Sequence, residues 1–144
     1  MASINPYLNF KDNTEEAFNF YKSVFGGEFQ MVMRFKDMDM PSEQPMSESA
    51  GNKIAHISLP MGKGTMLMGS DTPEGFGPPH KVGNNFSVSI SAESKEEADK
   101  LFNNLSAGGQ ITMPIDNAPW GSYFGMLTDK FDINWMVSFD QRDH

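Results

Sequence analysis

The chain has 144 residues, the usual size of one domain, and folding buries about two thirds of the unfolded surface at this length. Its net charge of −8 disfavours nucleic acid and anionic membranes, because both attract basic surfaces. The absence of cysteine excludes disulfide bonds, a thiol nucleophile and thiolate metal ligands. The N-terminus lacks a signal-peptide pattern and no apolar run is long enough to span a bilayer, so we expect a cytoplasmic protein.

The first half of the chain alternates between strand and helix patterns. Residues 4–10 predict a strand, and a helix follows from Asn13, whose spacing to Glu16 is that of a capping box. Apolar residues recur at helical spacing until Gly26 and Gly27 end the helix. Three strands are predicted at 28–35, 53–60 and 65–70, and the polar segment 36–52 predicts a long loop.

The second half repeats this order after a linker rich in proline and glycine at residues 72–83. Residues 85–91 alternate as a strand, and Ser94 with Glu97 predicts a capped helix. Gly108 and Gly109 end that helix. The last three strands are predicted at 110–113, 122–128 and 133–139.

Two landmarks indicate an internal duplication. Gly26 and Gly108 lie 82 residues apart, and the helix caps Asn13 and Ser94 lie 81 apart. This agreement favours two β-α-β-β-β units within one domain, over residues 4–71 and 84–139, and the alternative is coincidence in an ordinary α+β domain. Because each unit buries one face of its sheet, we expect curved mixed sheets around a cleft, where a ligand would bind.

Three segments carry a family resemblance over nearly the whole chain: Pro6 to Phe10, Ile54 to Ile57, and the tail from Trp120 to Trp135. Together they resemble the PhnB-like branch of the vicinal oxygen chelate superfamily, which includes the glyoxalase-like proteins. The resemblance implies an α+β fold of two tandem βαβββ units and a homodimer. It says little about the reaction.

The resemblance also identifies where a metal centre would lie. Metalloenzymes of this superfamily hold a divalent cation with one ligand, typically His or Glu, from each of four strands. The resemblance places these positions near Asn5 or Pro6, Met68, Ser87 and Met136. Thioethers are poor ligands for hard cations, and strands 66–70, 85–91 and 133–139 contain no His, Asp or Glu. We therefore predict no metal and no cofactor.

His56 is the only histidine on a predicted strand or helix. It is either a general acid or base or an ordinary strand histidine, and alternation places it on the same sheet face as Ile54 and Ser58. The chain has twelve methionines. Those on the predicted strands 65–70, 122–128 and 133–139 are either core residues or the lining of an adaptable pocket, and the exposed ones in and before the 36–52 loop are candidates for a subunit contact. The candidate ligand-binding residues are large, polar or flexible side chains near the expected cleft: Tyr7, Met68, Ser87, Trp120, Phe124 and Met136. Alternation along the last predicted strand places Asn134 on the same face as Met136 and points Trp135 toward the helix.

Common catalytic motifs do not match. The chain has no G-x-S-x-G elbow, no P-loop and no G-x-G-x-x-G after a strand. Three hypotheses follow. The chain is a metal-free homodimer that binds a small molecule, an enzyme (lyase, isomerase or group-transfer) that uses His56 as acid or base, or a non-catalytic sequestering or structural dimer.

Overall fold

The computed structural model describes residues 2–38, 47–62, 64–72 and 79–141, and the chain divides into two compact units, Met1–Lys81 and Val82–His144. The first unit contains, in chain order, β1 (Tyr7–Phe10), α1 (Thr14–Phe25), β2 (Met31–Arg34), a 3₁₀ turn (Phe35–Asp37), α2 (Glu48–Gly51), β3 (Ile54–Pro60) and β4 (Met66–Asp71). The second contains β5 (Val88–Ser91), α3 (Lys95–Ser106), β6 (Gln110–Asn117), β7 (Ser122–Thr128) and β8 (Asn134–Asp140).

Each unit forms one four-stranded mixed sheet. The strand orders are β1-β4-β3-β2 and β5-β8-β7-β6. In both sheets the first strand runs parallel to the last, and the other neighbours are antiparallel. The predicted α+β fold of two repeated βαβββ units is therefore confirmed.

The strand lengths differ from the sequence predictions at the sheet edges. The predicted strands 4–10 and 85–91 shorten to four residues each, because only residues Tyr7–Phe10 and Val88–Ser91 pair with β4 and β8. Conversely, β6 extends to Asn117, since it resumes pairing with β7 after two register shifts. Pro114 is tolerated there because β6 is an edge strand. The predicted loop 36–52 includes two short helical turns, and its residues 39–46 lie outside the described ranges.

Helix α1 covers one face of the first sheet. Its buried face presents Ala17, Phe18 and Tyr21 to β3 and β4. Gly69 makes this close approach possible, because a Cβ there would lie 2.6 Å from the Phe18 ring. The sheet contributes these buried apolar side chains: Leu8, Phe10, Ile54, Ile57, Leu59 and Leu67.

Helix α3 covers one face of the second sheet in the same way. It buries Ala98, Phe102 and Leu105 against β7 and β8, and Gly125 leaves room for the Phe102 ring. Trp135 is buried on this face, as alternation along β8 predicted. Its Nε1–H donates to the buried carboxylate of Asp129.

The two helices begin differently. The Ser94 hydroxyl accepts from the backbone N–H of Glu97, which confirms that cap. The capping box at Asn13 is wrong, because the Asn13 side chain makes no cap hydrogen bond. The carboxylate of Asp71, at the end of β4, instead accepts from the backbone N–H of Thr14.

A β-bulge changes the face on which one predicted residue lies. His56 and Ile54 pair with the adjacent residues Met33 and Arg34, so the alternation of β3 breaks at Ala55. Ile54 therefore points toward the α1 side and is 1% exposed. His56 shares the opposite face with Ser58 but not with Ile54, which corrects the prediction.

Candidate functional site

The first sheet has a second face that α1 does not cover. The register of the four strands assigns side chains to this face, because paired residues in neighbouring strands point the same way. No lysine, arginine or acidic residue is among them. The face carries Tyr7, Asn9, Met31, Met33, His56, Ser58, Met66, Met68 and Ser70.

Three of the predicted site residues lie together on this face. Tyr7 on β1 pairs directly with Met68 on β4. The Tyr7 hydroxyl lies 3.4 Å from Nδ1 of His56, and the two ring centroids are 5.7 Å apart. Because β4 lies between β1 and β3, this contact crosses over β4. The result is a half-exposed group of one imidazole, one phenol and one thioether.

The uncovered face of the second sheet brings together three more predicted residues. Met136 pairs with Met126, and Phe124 lies on the same face one pair further along β7. The Trp120 ring packs edge-on against Phe124 with centroids 5.5 Å apart, and Trp120 is 54% exposed.

Ser87 was predicted to lie at the position beside Met136, and this prediction is displaced by two residues, or one strand pair. Ser87 precedes the first residue of β5, and the residue paired with Met136 is Ser89. Likewise, the partner of Met68 is Tyr7, which follows Asn5 and Pro6. The register in both cases depends on a parallel partner strand, which the sequence of the first strand does not reveal.

The methionines lie on the uncovered faces. None of the nine described methionines is buried in the core, so the core-filling interpretation is wrong for Met66, Met68, Met126 and Met136. Met68 and Met136 occupy the same place in the two units, each beside the first strand of its sheet. Seven of the nine belong to the two faces: Met31, Met33, Met66, Met68, Met113, Met126 and Met136.

A hollow of about 450 Å³ lies at the end of the second sheet. The Thr128 and Asn134 pair forms one wall, and the Thr128 hydroxyl donates to the Asn134 side chain at 2.7 Å. Alternation on β8 predicted Asn134 on the face of Met136, but the rest of the hollow was missed. The full lining is Val82, Gly83, Asn84, Thr128, Asp132 and Asn134.

The resemblance assigned a metal to positions near Asn5 or Pro6, Met68, Ser87 and Met136, and the residues that the strand register pairs there do not fit a hard divalent cation. The first unit offers a phenol and a thioether at Tyr7 and Met68, and the second offers a hydroxyl and a thioether at Ser89 and Met136. Hard cations prefer carboxylate, carbonyl and water oxygens, with imidazole for zinc, iron or nickel. The described ranges also contain no group of three His, Cys, Asp or Glu side chains arranged for a metal.

We call the two uncovered sheet faces, which carry seven methionines, the methionine faces. The titratable groups with shifted pKa values lie away from these faces and stabilise the fold. Tyr123, on the α3 side of β7, donates to Asp99, and this hydrogen bond raises the pKa of Tyr123 to about 12. The Arg34 guanidinium binds both carboxylate oxygens of Glu15, which raises the pKa of Arg34. Both contacts join a strand to the helix packed on it.

Known proteins match the chain over nearly its whole length. A family model described as 3-demethylubiquinone-9 3-methyltransferase matches residues 2–138. The solved structure of PA1353 from Pseudomonas aeruginosa is 35% identical, with a TM-score of 0.84 over 98% of this chain and 99% of that one. Protein YjdN from Escherichia coli is 27% identical, covering 94% of this chain and 93% of YjdN. A PhnB protein from Bacillus cereus is 26% identical, with a TM-score of 0.73 over 96% of this chain and 99% of that one.

The wider relationship is one of fold. Solved structures of a glyoxylase/bleomycin resistance protein/dioxygenase domain from Frankia and of the fosfomycin resistance protein FosX from Listeria monocytogenes share this fold at 14% and 12% identity, with TM-scores of 0.67 and 0.63. Within the described ranges, no helix has the length and apolar character needed to cross a bilayer. On the family match over residues 2–138 and the 35% identical solved structure, the chain belongs to the 3-demethylubiquinone-9 3-methyltransferase-like (PhnB-like) family.

Proposed function

We propose that the chain is a binding protein for a small molecule, which it holds on the methionine faces without the divalent metal centre of the superfamily. The placement of the methionines carries this proposal. Seven of them line sheet faces that the helices leave uncovered, while the covered faces contain branched and aromatic residues. The predicted cleft, the homodimer and the cytoplasmic location stay predictions.

The side chains on these faces suit an amphipathic ligand. Methionine is flexible and polarizable, so it adapts to irregular apolar shapes and makes favourable contacts with rings. Tyr7, Phe124 and Trp120 add aromatic surface beside the thioethers. Hydroxyl and amide groups, such as Ser89 and Asn134, supply the few polar contacts that orient a bound molecule.

Methionine-methyl NMR tests this proposal directly. Chain labelled at the methionine methyl groups is screened against a metabolite library, and we expect ligands to shift the signals of Met68, Met126 or Met136. Met136→Thr should weaken binding of a ligand that shifts the Met136 signal by about tenfold, because the lost thioether contact is worth 1–3 kcal/mol.

Met61→Thr is the matched control, since Met61 follows β3 and is absent from the strand pairs that define the faces. It should leave affinity unchanged. Ligands that shift only Met61 and other signals outside the two faces would contradict the proposal.

Metal retention is measured separately. The chain is dialysed against Ni²⁺, Zn²⁺, Mn²⁺ or Fe²⁺ and then against buffer, and elemental analysis gives the metal that remains. We expect far less than one metal ion per chain, because the paired donors are thioethers, a phenol and a hydroxyl. Stoichiometric retention would refute the metal-free part of the proposal.

A second candidate function is catalysis by His56. Its contact with Tyr7 favours this candidate, because a hydrogen-bonded phenol orients an imidazole for proton transfer. For any turnover found in the metabolite screen, His56→Gln should lower kcat by about 100-fold or more while KM changes little. Unchanged kcat would remove His56 as acid or base. If the chain binds a ligand but does not convert it, the hypothesis of a non-catalytic sequestering protein remains.

We propose a homodimer because large apolar side chains are exposed on the edge strands of both sheets. Met31 and Val32 on β2 and Ile111 and Met113 on β6 are large apolar side chains that stand exposed at the free edges of the two sheets. Exposed apolar edges favour association. Sedimentation velocity should give a dimer at micromolar concentration, and a monomer at all concentrations would contradict it.

A further inference from the structure

The hollow of the second unit continues into the methionine face of that unit. Thr128 and Asn134 form the last pair of β7 and β8, and Met126 and Met136 form the next pair on the same face. Asn134 and Met136 are two residues apart on one strand, which corresponds to about 7 Å. A molecule of modest length can therefore reach from the Thr128–Asn134 wall of the hollow to Met126 and Met136.

The hollow carries one charge, and it is negative. Asp132 is the only charged residue in the lining, and the other polar groups are the Asn84 and Asn134 amides and the Thr128 hydroxyl. Asp132 has a left-handed backbone with φ of 69°, and its N–H donates to the carbonyl of Asp129 at 3.0 Å. The Asp129 carboxylate in turn accepts from Phe131 and Ile133, so this turn is held in place around Asp132.

The adjoining face offers no compensating cation. Its strand positions contain serine, threonine, asparagine, glutamine, methionine and phenylalanine, and the acidic residues Asp116 and Asp140 are its only charges. Lys81 and Lys130 are close in sequence, but neither belongs to the lining of the hollow, and the Lys130 side chain packs beside Gly108 and the Phe131 ring. The net charge of −8 adds a long-range attraction for positive ligands.

We infer that the second unit selects organic cations: an amine head enters the hollow beside Asp132, and the apolar or aromatic body lies on Met126, Met136 and Phe124. This inference rests on the proposed function and names its ligand class. It also implies that phosphonates, phosphates and carboxylates are poor ligands here, because the described hollow and face offer them no positive partner.

Three probes of equal length test the charge preference: 4-phenylbutylamine, 4-phenylbutanol and 4-phenylbutyrate. Calorimetry at low salt should rank the amine tightest and the carboxylate weakest, with about 3- to 10-fold between them, as expected for an ion pair in a partly solvated site. Asp132→Asn should reduce this difference to about twofold or less. Asparagine tolerates a left-handed backbone well, so the turn is retained.

Glu96→Gln is the matched control, because it removes one negative charge from an exposed position on α3. It should keep the full preference for the amine. Equal affinities for all three probes, tighter binding of the carboxylate, or a preference that survives Asp132→Asn would overturn the inference. Failure of all three probes to bind below about 10 mM would overturn it too.

These outcomes separate the inference from the proposed function. Probes that bind with equal affinity and shift the Met126 and Met136 methyl signals would support a ligand face while refuting the cation preference. Only the metabolite screen can contradict the proposed function, and it does so if the ligands that it finds leave the methyl signals of the methionine faces unchanged.

Discussion

The carboxylate of Asp71 accepts hydrogen bonds from both donors of Thr14, the backbone N–H at 3.0 Å and the hydroxyl at 2.7 Å. Its other oxygen accepts from the backbone N–H of Ile54 at 2.8 Å. One buried side chain thus joins β4, the start of α1 and the start of β3. All three partners are donors, so the site requires a group that only accepts.

Asp71→Asn should therefore lower the free energy of unfolding by about 3 kcal/mol, because the new amide turns N–H groups toward buried donors. Urea denaturation measures the change. Thr14→Val should cost about 1 kcal/mol, since it removes one of the three hydrogen bonds. Glu96→Gln, at an exposed position of α3, should change little. Equal stabilities of the Asp71 variant and this control would show that Asp71 is not an anchor.

Gly69→Ala tests the close packing of α1 on β4. The added Cβ would lie 2.6 Å from the Phe18 ring and 2.8 Å from the carbonyl oxygen of Leu8, and neither neighbour can move without disturbing the core. We expect a loss of about 2–3 kcal/mol in the free energy of unfolding. Gly83→Ala is the comparison, because its Cβ would meet nothing closer than 3.7 Å and its cost should stay within about 0.5 kcal/mol.

The Tyr123 hydroxyl predicts a loss of stability at alkaline pH. Its hydrogen bond to Asp99 raises the folded pKa to about 12 from the ordinary 10.0, so the protonated form is favoured in the folded state. This contribution is complete below pH 10 and declines between pH 10 and 12, as the unfolded tyrosine ionises first.

Urea denaturation across this range should show less alkaline destabilisation in Tyr123→Phe than in the parent chain. In the spectrophotometric titration of Asp99→Asn, the pKa of Tyr123 should move back toward 10. A pKa near 10 in the parent chain would contradict the hydrogen bond.

The two tryptophans should report separately in fluorescence. Trp120 is 54% exposed beside Phe124, whereas Trp135 is 1% exposed and bonded to Asp129. In Trp120→Phe only the buried Trp135 emits, so the emission should be blue-shifted. Acrylamide should quench it several-fold less than the emission of Trp135→Phe, in which only the exposed Trp120 remains. Because Trp120 packs on the second methionine face, a ligand there should change the emission of Trp135→Phe. Strong quenching in the Trp120→Phe chain would show that Trp135 is accessible.

Local signals predicted the elements well, and the cap at Ser94 illustrates why. Its partner lies three residues away on the same helix, so the sequence pattern contains the whole interaction. The start of α1 could not be predicted in this way. Its acceptor, Asp71, is 57 residues from Thr14, and only the folded β4 strand brings them together.

The candidate site shows the same difference between local patterns, which the sequence reveals, and contacts between distant segments, which it does not. Alternation within a strand predicted that Met136 and Asn134 share a face, and their register confirms it. The bulge at Ala55 and the pairing of Ser89 with Met136 depend on partner strands, so the predictions for His56 and Ser87 were displaced. The hollow joins residues 82–84 to the turn before β8, and no periodicity within one segment contains it.

The separation of methionine from the core has an evolutionary consequence. The residues that determine stability, such as Phe18 and Trp135, lie on the opposite sheet faces from Met68 and Met136. If the methionine faces bind the ligand, as we propose, a substitution there changes ligand preference at little cost in folding free energy. Related proteins with the same core could then acquire different ligands through single substitutions, and each variant would still fold.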